Sequence, residues 1–101
     1  MISVELGAAL LDQEKPDWFN LVDMKKFNIN RPTDCILGQI YGSYSIGIDA
    51  IGLKIGREAF NHGFINFYYD KYGRLLQSNS DILYSSMWQK EINKRKVVSN
   101  V

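Results

Sequence analysis

The side chains best suited to nucleophilic or acid–base chemistry are scarce in this chain. Cysteine and histidine each occur once, as Cys35 and His62. Such a pair could supply a nucleophile and a base, but the two residues share no local motif and no acid is spaced to orient the imidazole. His62 directly precedes Gly63, so a position near a helix end accounts for it. One thiol and one imidazole are also too few for zinc, which needs three or four such ligands. We therefore predict no metal site.

The carboxylates show no pairing that would favour catalysis. Most of them fall at predicted helix starts or turns, where capping explains them; they include Asp12, Glu14, Asp17, Asp23, Asp34, Asp49, Asp70 and Asp81. No two are spaced so that both must enter one low-dielectric site. We accordingly predict no catalytic residue, no cofactor-binding residue and no enzymatic activity.

Two glycines four residues apart, Gly38 and Gly42, could suggest a phosphate-binding loop. The segment lacks the Lys-Ser/Thr that follows such loops and does not follow a strand. Glycine in a helix interior lowers helix stability by up to about 1 kcal/mol relative to alanine. Two glycines in one helix therefore indicate a packing reason, and close approach of another backbone is the favoured interpretation. Gln39, between them, is predicted to be a structural amide that hydrogen-bonds a neighbouring backbone.

A tyrosine-rich segment is the strongest candidate for a contact surface. Tyrosine and arginine dominate the energetics of protein interfaces, and four such residues lie close together in the chain: Tyr68, Tyr69, Tyr72 and Arg74. We predict that these four bind a partner. Packing of the tyrosines within the fold is an alternative that the sequence leaves open.

The chain has one basic cluster, near its end, formed by Lys90, Lys94, Arg95 and Lys96. A solvated helix end explains it. The alternative is a phosphate-contacting patch, helped by Arg57, Lys71 and Arg74 if folding brings them together. No recognition-helix motif accompanies the cluster, so reading of a DNA sequence is unsupported.

Helical periodicity dominates the first half of the chain. Ser3 is a predicted cap for a helix whose buried face carries Val4, Ala8 and Leu11, and Pro16 ends it. A second, short helix is predicted to follow Pro16. Thr33 is a predicted cap for a longer helix, whose apolar side chains recur at helical spacing: Ile36, Leu37, Ile40, Tyr41 and Tyr44.

The second half combines helices with a turn signature. A short helix is predicted over residues 57–62, ended by Gly63 in a left-handed conformation. Asp70 and Gly73, at the first and fourth positions of a turn, predict a β-hairpin with a type I turn and a glycine bulge. The last helix is predicted to bury a wide face from Leu83 to Ile92 against the stripe at Ile36–Tyr44. Glu91 is placed to pair with Arg95.

Length and composition fit one globular domain, residues 1–101. Of the 101 residues, 46% are hydrophobic and 23% are charged, as in ordinary globular proteins. The net charge of +1 gives no field that would attract nucleic acid or a membrane. A lone cysteine suits a reducing compartment, and neither a secretory signal nor a membrane span is recognisable. We expect a mainly α protein, a small helical bundle with a short β-hairpin, in the cytoplasm.

The chain resembles a recurring type of small, uncharacterised phage or prophage protein of bacteria. The shared elements are Gly7-Ala-Ala-Leu-Leu-Asp12, Pro16-Asp-Trp18, Cys35-Ile-Leu-Gly-Gln39 with Gly42-Ser-Tyr44, Gly52-Leu53, Gly63-Phe64 and Trp88, Ile92 and Arg95. The most specific part is Cys-x-Leu-Gly-Gln-x-x-Gly-x-Tyr. The segment from Phe67 to Gln77 departs from the type, because it is longer and more hairpin-like.

The resemblance implies a phage or mobile-element context but carries no activity. Small proteins of that kind often bind and block a host enzyme or defence complex. We therefore expect a non-enzymatic protein that inhibits or regulates a host protein or nucleoprotein complex, with an anti-CRISPR role as one example. The alternative is an accessory nucleic-acid-binding protein that uses the basic C-terminal helix. Whether the protein associates with itself is left open.

Overall fold

In a computed structural model, described for residues 3–77 and 81–99, the chain begins with helix α1, Val4–Glu14. The Ser3 hydroxyl accepts a hydrogen bond of 3.1 Å from the amide of Leu6, which confirms the predicted cap. Val4, Ala8 and Leu11 are buried, as the spacing predicted. After Pro16 the short predicted helix is a single 3₁₀ turn, Trp18–Asn20.

The helix predicted after Thr33 is two helices, α2 (Ile36–Tyr41) and α3 (Tyr44–Ala50). Cys35 rather than Thr33 caps α2, and Gly42 ends it with a φ of +98°, which a side chain at that position would disfavour. Ser43 then caps α3 by accepting a hydrogen bond from the amide of Ile46. The break was missed because the apolar stripe continues across it.

Helix α4, Arg57–Asn61, leads into a two-stranded antiparallel hairpin of β1 (Phe67–Tyr69) and β2 (Leu75–Gln77). Gly63 has the predicted left-handed conformation, with a φ of +76°. Tyr68 pairs with Leu76 at the centre of the ladder. Gly73, with a φ of +77°, donates to the carbonyl of Asp70 and closes the turn. The predicted hairpin and its glycine are confirmed.

Helix α5, Asp81–Ser99, follows the hairpin. Its buried face is narrower than predicted: Tyr84, Trp88 and Ile92 are inside, whereas Leu83 is 53% exposed. The helix packs mainly on α1 and the 3₁₀ turn, and the main neighbour of α2 is α3. The expectation that the stripe at Ile36–Tyr44 would form the principal contact of α5 was therefore wrong.

Aromatic rings join the 3₁₀ turn, α5 and the loop after α4 in the core of the protein. Trp18 meets Trp88 edge to face, with ring centroids 5.7 Å apart, and Phe64 stacks on Trp88 at 5.4 Å. The indole nitrogen of Trp88 donates a hydrogen bond of 2.9 Å to the carbonyl of Gly63, so this buried polar group is satisfied.

The described residues thus form five α-helices and one hairpin, which confirms the mainly α fold class. Within residues 3–77 and 81–99, none of the helices is long and apolar enough to span a membrane.

Candidate functional site

The four predicted partner-binding residues line one open cleft between α4 and the hairpin. The cleft has a volume of about 500 Å³. Its lining joins aromatic, apolar and basic side chains: Ile55, Arg57, Tyr68, Tyr69, Asp70, Lys71, Tyr72, Arg74 and Leu76, with Gly56. We call it the hairpin cleft. Its size lies within the range of ordinary ligand sites.

Asp70 organises the turn at one end of the cleft. Its Oδ1 accepts hydrogen bonds of 2.9 Å from the backbone amides of both Tyr72 and Arg74, and its Oδ2 lies 2.8 Å from Nε of Arg74. These contacts, led by the backbone amide of Arg74, hold the pKa of the Asp70 carboxyl below its usual range. The carboxylate is therefore already engaged within the turn.

Two cations lie over the Tyr72 ring at the hairpin tip. Lys71 Nζ and Arg74 Cζ each lie 5.2 Å from the centroid of its ring, within the range of cation–π attraction. The ring itself is 70% exposed. The tip therefore exposes an aromatic side chain together with two positively charged side chains that are in contact with its ring.

The other two tyrosines differ in their surroundings. Tyr68 is half-buried and meets Phe60 of α4 at a centroid distance of 4.9 Å, so it helps to dock the hairpin on the helix. Tyr69 is 65% exposed, and its ring is approached by Phe67 at 6.3 Å. The two interpretations that the sequence left open thus apply to different residues: packing explains Tyr68, while Tyr69 and Tyr72 face outward.

Two contributors to the cleft, Arg57 and Ile55, were not among the predicted partner-binding residues. The Arg57 side chain forms no ion pair or hydrogen bond with the part of the chain that the structure describes. Ile55 is 76% exposed, although a side chain of this type is usually buried. Both residues precede the hairpin in sequence, and the packing of α4 on β1 brings them beside it.

The basic cluster of α5 is not uniformly available for a ligand. Arg95 is held within the fold: Nε and Nη2 each lie 2.8 Å from an Asp12 carboxylate oxygen, and Nη1 is 3.1 Å from Glu91 Oε1. The predicted Glu91–Arg95 pair is thereby confirmed. The Arg95 guanidinium also lies over the Trp18 ring, 5.4 Å from its centroid. Little of its hydrogen-bonding capacity is left for a phosphate.

The remaining basic residues of α5 line two different cavities, because Lys96 borders one that also includes Lys25 and Ile92. Lys94 pairs with Glu91 at 3.2 Å, and together with Lys90 it lines a separate shallow cavity that also includes Val97. Arg57, Lys71 and Arg74 gather at the hairpin cleft instead, so the two groups of cations do not share a cavity. Contact of Lys90, Lys94 and Lys96 with nucleic acid stays a prediction.

Cys35 and His62 have different partners. The Cys35 sulfur caps α2 by accepting from the Gly38 amide at 3.3 Å, and burial raises the pKa of this thiol. His62 follows the last residue of α4, and its Nδ1 lies 2.7 Å from the carbonyl oxygen of Glu58. The described residues contain no group of three or more His, Cys, Asp and Glu that could hold a metal ion.

Gln39 fastens the loop that precedes α2. Its Oε1 accepts from the Asp23 amide at 2.7 Å, and its Nε2 donates to the carbonyls of Asp23 and Asp34. The prediction of a structural amide is therefore confirmed. The close approach predicted for the glycines holds at Gly38, where an added Cβ would lie 2.1 Å from the Pro32 carbonyl oxygen, but not at Gly42.

No protein-family model, curated protein or solved structure matches the chain.

Proposed function

We propose that the protein is a non-enzymatic protein-binding module that docks on its partner through the hairpin cleft. The observation that carries this proposal is the joint placement of Tyr68, Tyr69, Tyr72 and Arg74 around one open cleft. Tyrosine and arginine side chains of this kind supply most of the binding energy at protein interfaces.

The structure of the hairpin supports a binding role in a second way. The turn is held by Asp70 through three hydrogen bonds, and Tyr68 anchors β1 on α4. A surface that is ordered before binding loses less conformational entropy when it binds. Tyr69 and Tyr72 are therefore presented on a scaffold rather than on an unsupported loop.

The partner that we propose is a host protein or nucleoprotein complex, which the module would inhibit or regulate in the host cytoplasm. This part of the proposal rests on the resemblance to small phage and prophage proteins. An anti-defence role, such as anti-CRISPR activity, belongs to the same class of function.

Capture of the partner from host lysate, followed by affinity measurement, tests the docking surface. We expect Tyr69→Ala and Tyr72→Ala each to weaken binding at least about fivefold, which corresponds to about 1 kcal/mol. The control is Ile82→Ala, which removes a side chain that is 83% exposed and does not line the cleft. Parent-like affinity of both tyrosine variants, with parent-like thermal unfolding, would reject the hairpin cleft as the docking surface.

A further inference from the structure

We infer that the hairpin cleft binds an acidic peptide segment of the partner protein. The carboxylates of that segment would meet Arg57, Lys71 and Arg74, and an adjacent aliphatic side chain would pack on Ile55 and Leu76. This inference rests on the proposed protein-binding function and specifies the chemistry of the segment that the cleft receives.

Charge complementarity carries the first step. The cleft is lined by three cations and by one carboxylate, Asp70, which is already engaged by Arg74 and two backbone amides. Within the described residues, Arg57 and Lys71 have no acidic partner. The cleft therefore holds an excess of positive charge on a protein whose net charge is only +1.

The apolar part of the lining carries the second step. Ile55 is 76% exposed and Leu76 is 40% exposed, and both border the same cleft as the cations. Free phosphate or another small anion would leave these side chains in water. A peptide with a carboxylate next to an aliphatic residue would satisfy the cations and cover the apolar surface at once.

The state of the tyrosine rings favours a peptide over single-stranded nucleic acid. Stacking of successive bases needs several open aromatic faces. The Tyr72 ring is already approached by Lys71 and Arg74, and the Tyr68 ring is packed on Phe60. The Tyr69 ring has one such neighbour, Phe67, with centroids 6.3 Å apart. Carboxylates, by contrast, can bind the cations without displacing them from Tyr72.

A displayed library of random linear peptides, selected on the full-length protein, tests the inference. We expect the selected peptides to be enriched in Asp and Glu beside an aliphatic residue. A synthetic peptide from the selection should bind about two- to fivefold more weakly to Arg57→Ala and to Lys71→Ala, the range for exposed ion pairs. Lys26→Ala, which removes an exposed lysine that does not line the cleft, is the matched control and should leave the affinity unchanged.

Two further measurements sharpen the test. Replacing the peptide's acidic residues by Gln and Asn should weaken binding to the parent, and Lys71→Glu should lower affinity further than Lys71→Ala. Because these cleft residues are exposed, we expect parent-like thermal unfolding for each variant. Raising the salt concentration should weaken the acidic peptide's binding, since exposed charges are screened.

The outcomes separate this inference from the proposed function. Selected peptides that depend on Tyr69 and Tyr72 but carry no excess of acids would overturn the inference and leave the proposed function intact. Failure to select any peptide that depends on these tyrosines would overturn the inference alone, because capture of the partner from lysate tests the proposed function separately. Binding of a homothymidine oligonucleotide that is lost in Arg57→Ala would overturn the inference in favour of nucleic acid.

Discussion

The Arg95 guanidinium contacts two carboxylates and one aromatic ring. It joins Asp12 of α1 to Glu91 of its own helix and lies over the ring of Trp18. Hydrogen bonding to Arg95 lowers the pKa of the Asp12 carboxyl, and hydrogen bonding to Asp12 raises the pKa of Arg95. A residue that looked like part of a basic patch therefore ties the last helix to the first.

The Asp12–Arg95 pair makes a pH-dependent contribution to stability. We expect Asp12→Asn to lower the free energy of unfolding at neutral pH by about 1 kcal/mol, because the Asp12 side chain is 45% exposed and the pair is partly screened. The folded-state pKa of Asp12 lies below its unfolded value. The difference between parent and variant should thus be present above the unfolded pKa and vanish as the pH falls through the folded one.

Urea unfolding of both proteins across the acidic range measures this difference. Glu14→Gln, which neutralises an exposed carboxylate of the same helix that forms no ion pair in the described part of the chain, is the matched control. A constant gap between parent and Asp12→Asn at all pH values would contradict a role for the Asp12 charge.

The one ion pair that sequence spacing predicted, Glu91–Arg95, is a local one. Glu91 and Arg95 are four residues apart on one helix, so their contact follows from helical geometry. Asp12 and Arg95 are 83 residues apart, and nothing local to either residue indicates that α1 and α5 lie side by side. The hairpin cleft shows the same division: its turn was predicted from spacing, whereas the approach of Arg57 to Lys71 and Arg74 entered only as a condition of the nucleic-acid alternative.

At the scale of elements, the break between α2 and α3 shows what periodicity alone misses. The apolar stripe continues from Ile36 to Tyr44, and this pattern predicted one helix. Gly42 followed by Ser43 is the signal that could have divided it, because glycine often ends a helix and serine often begins one. The Tyr44 amide then donates to the carbonyl of Pro32, at 2.8 Å, instead of continuing the helix.

The two glycines of this region should respond differently to substitution. Gly38→Ala is expected to lower the free energy of unfolding by about 1–3 kcal/mol, because the new Cβ would meet the Pro32 carbonyl at 2.1 Å and backbone must move. Gly42→Ala meets no atom within 4 Å but must hold a left-handed φ, which costs about 1–2 kcal/mol.

Asparagine separates the two causes. Because Asn tolerates the left-handed region, Gly42→Asn should recover most of the stability lost in Gly42→Ala, whereas Gly38→Asn should be worse than Gly38→Ala. Thermal or urea unfolding of the four variants makes the comparison. Equal losses of stability for Asn and Ala at Gly42 would contradict the left-handed φ as the cause of those losses.

At the scale of the whole molecule, the aromatic core predicts cooperative unfolding. Trp18 and Trp88 are both fully buried, and with Phe64 they connect the 3₁₀ turn, α5 and the loop after α4. The indole nitrogen of Trp18 also donates a hydrogen bond of 2.9 Å to Asp12 of α1. If residues 1–101 form one domain, tryptophan fluorescence and far-UV circular dichroism should give the same urea midpoint. An earlier loss of helical signal would show that α2 and α3 unfold independently of this core.

The buried thiol of Cys35 turns the loop before α2 into a reporter of its own opening. The side chain is 2% exposed, and its sulfur caps the helix while lying 3.7 Å from the carbonyl oxygen of Pro32, in the segment that precedes the helix. An alkylating reagent can reach the sulfur only when this segment opens. The labelling rate in the native state therefore measures how often the segment opens. Gln39→Ala removes the hydrogen bonds that hold the loop at Asp23 and Asp34. We expect labelling of this variant to be faster than that of the parent, with little change in the midpoint of global unfolding.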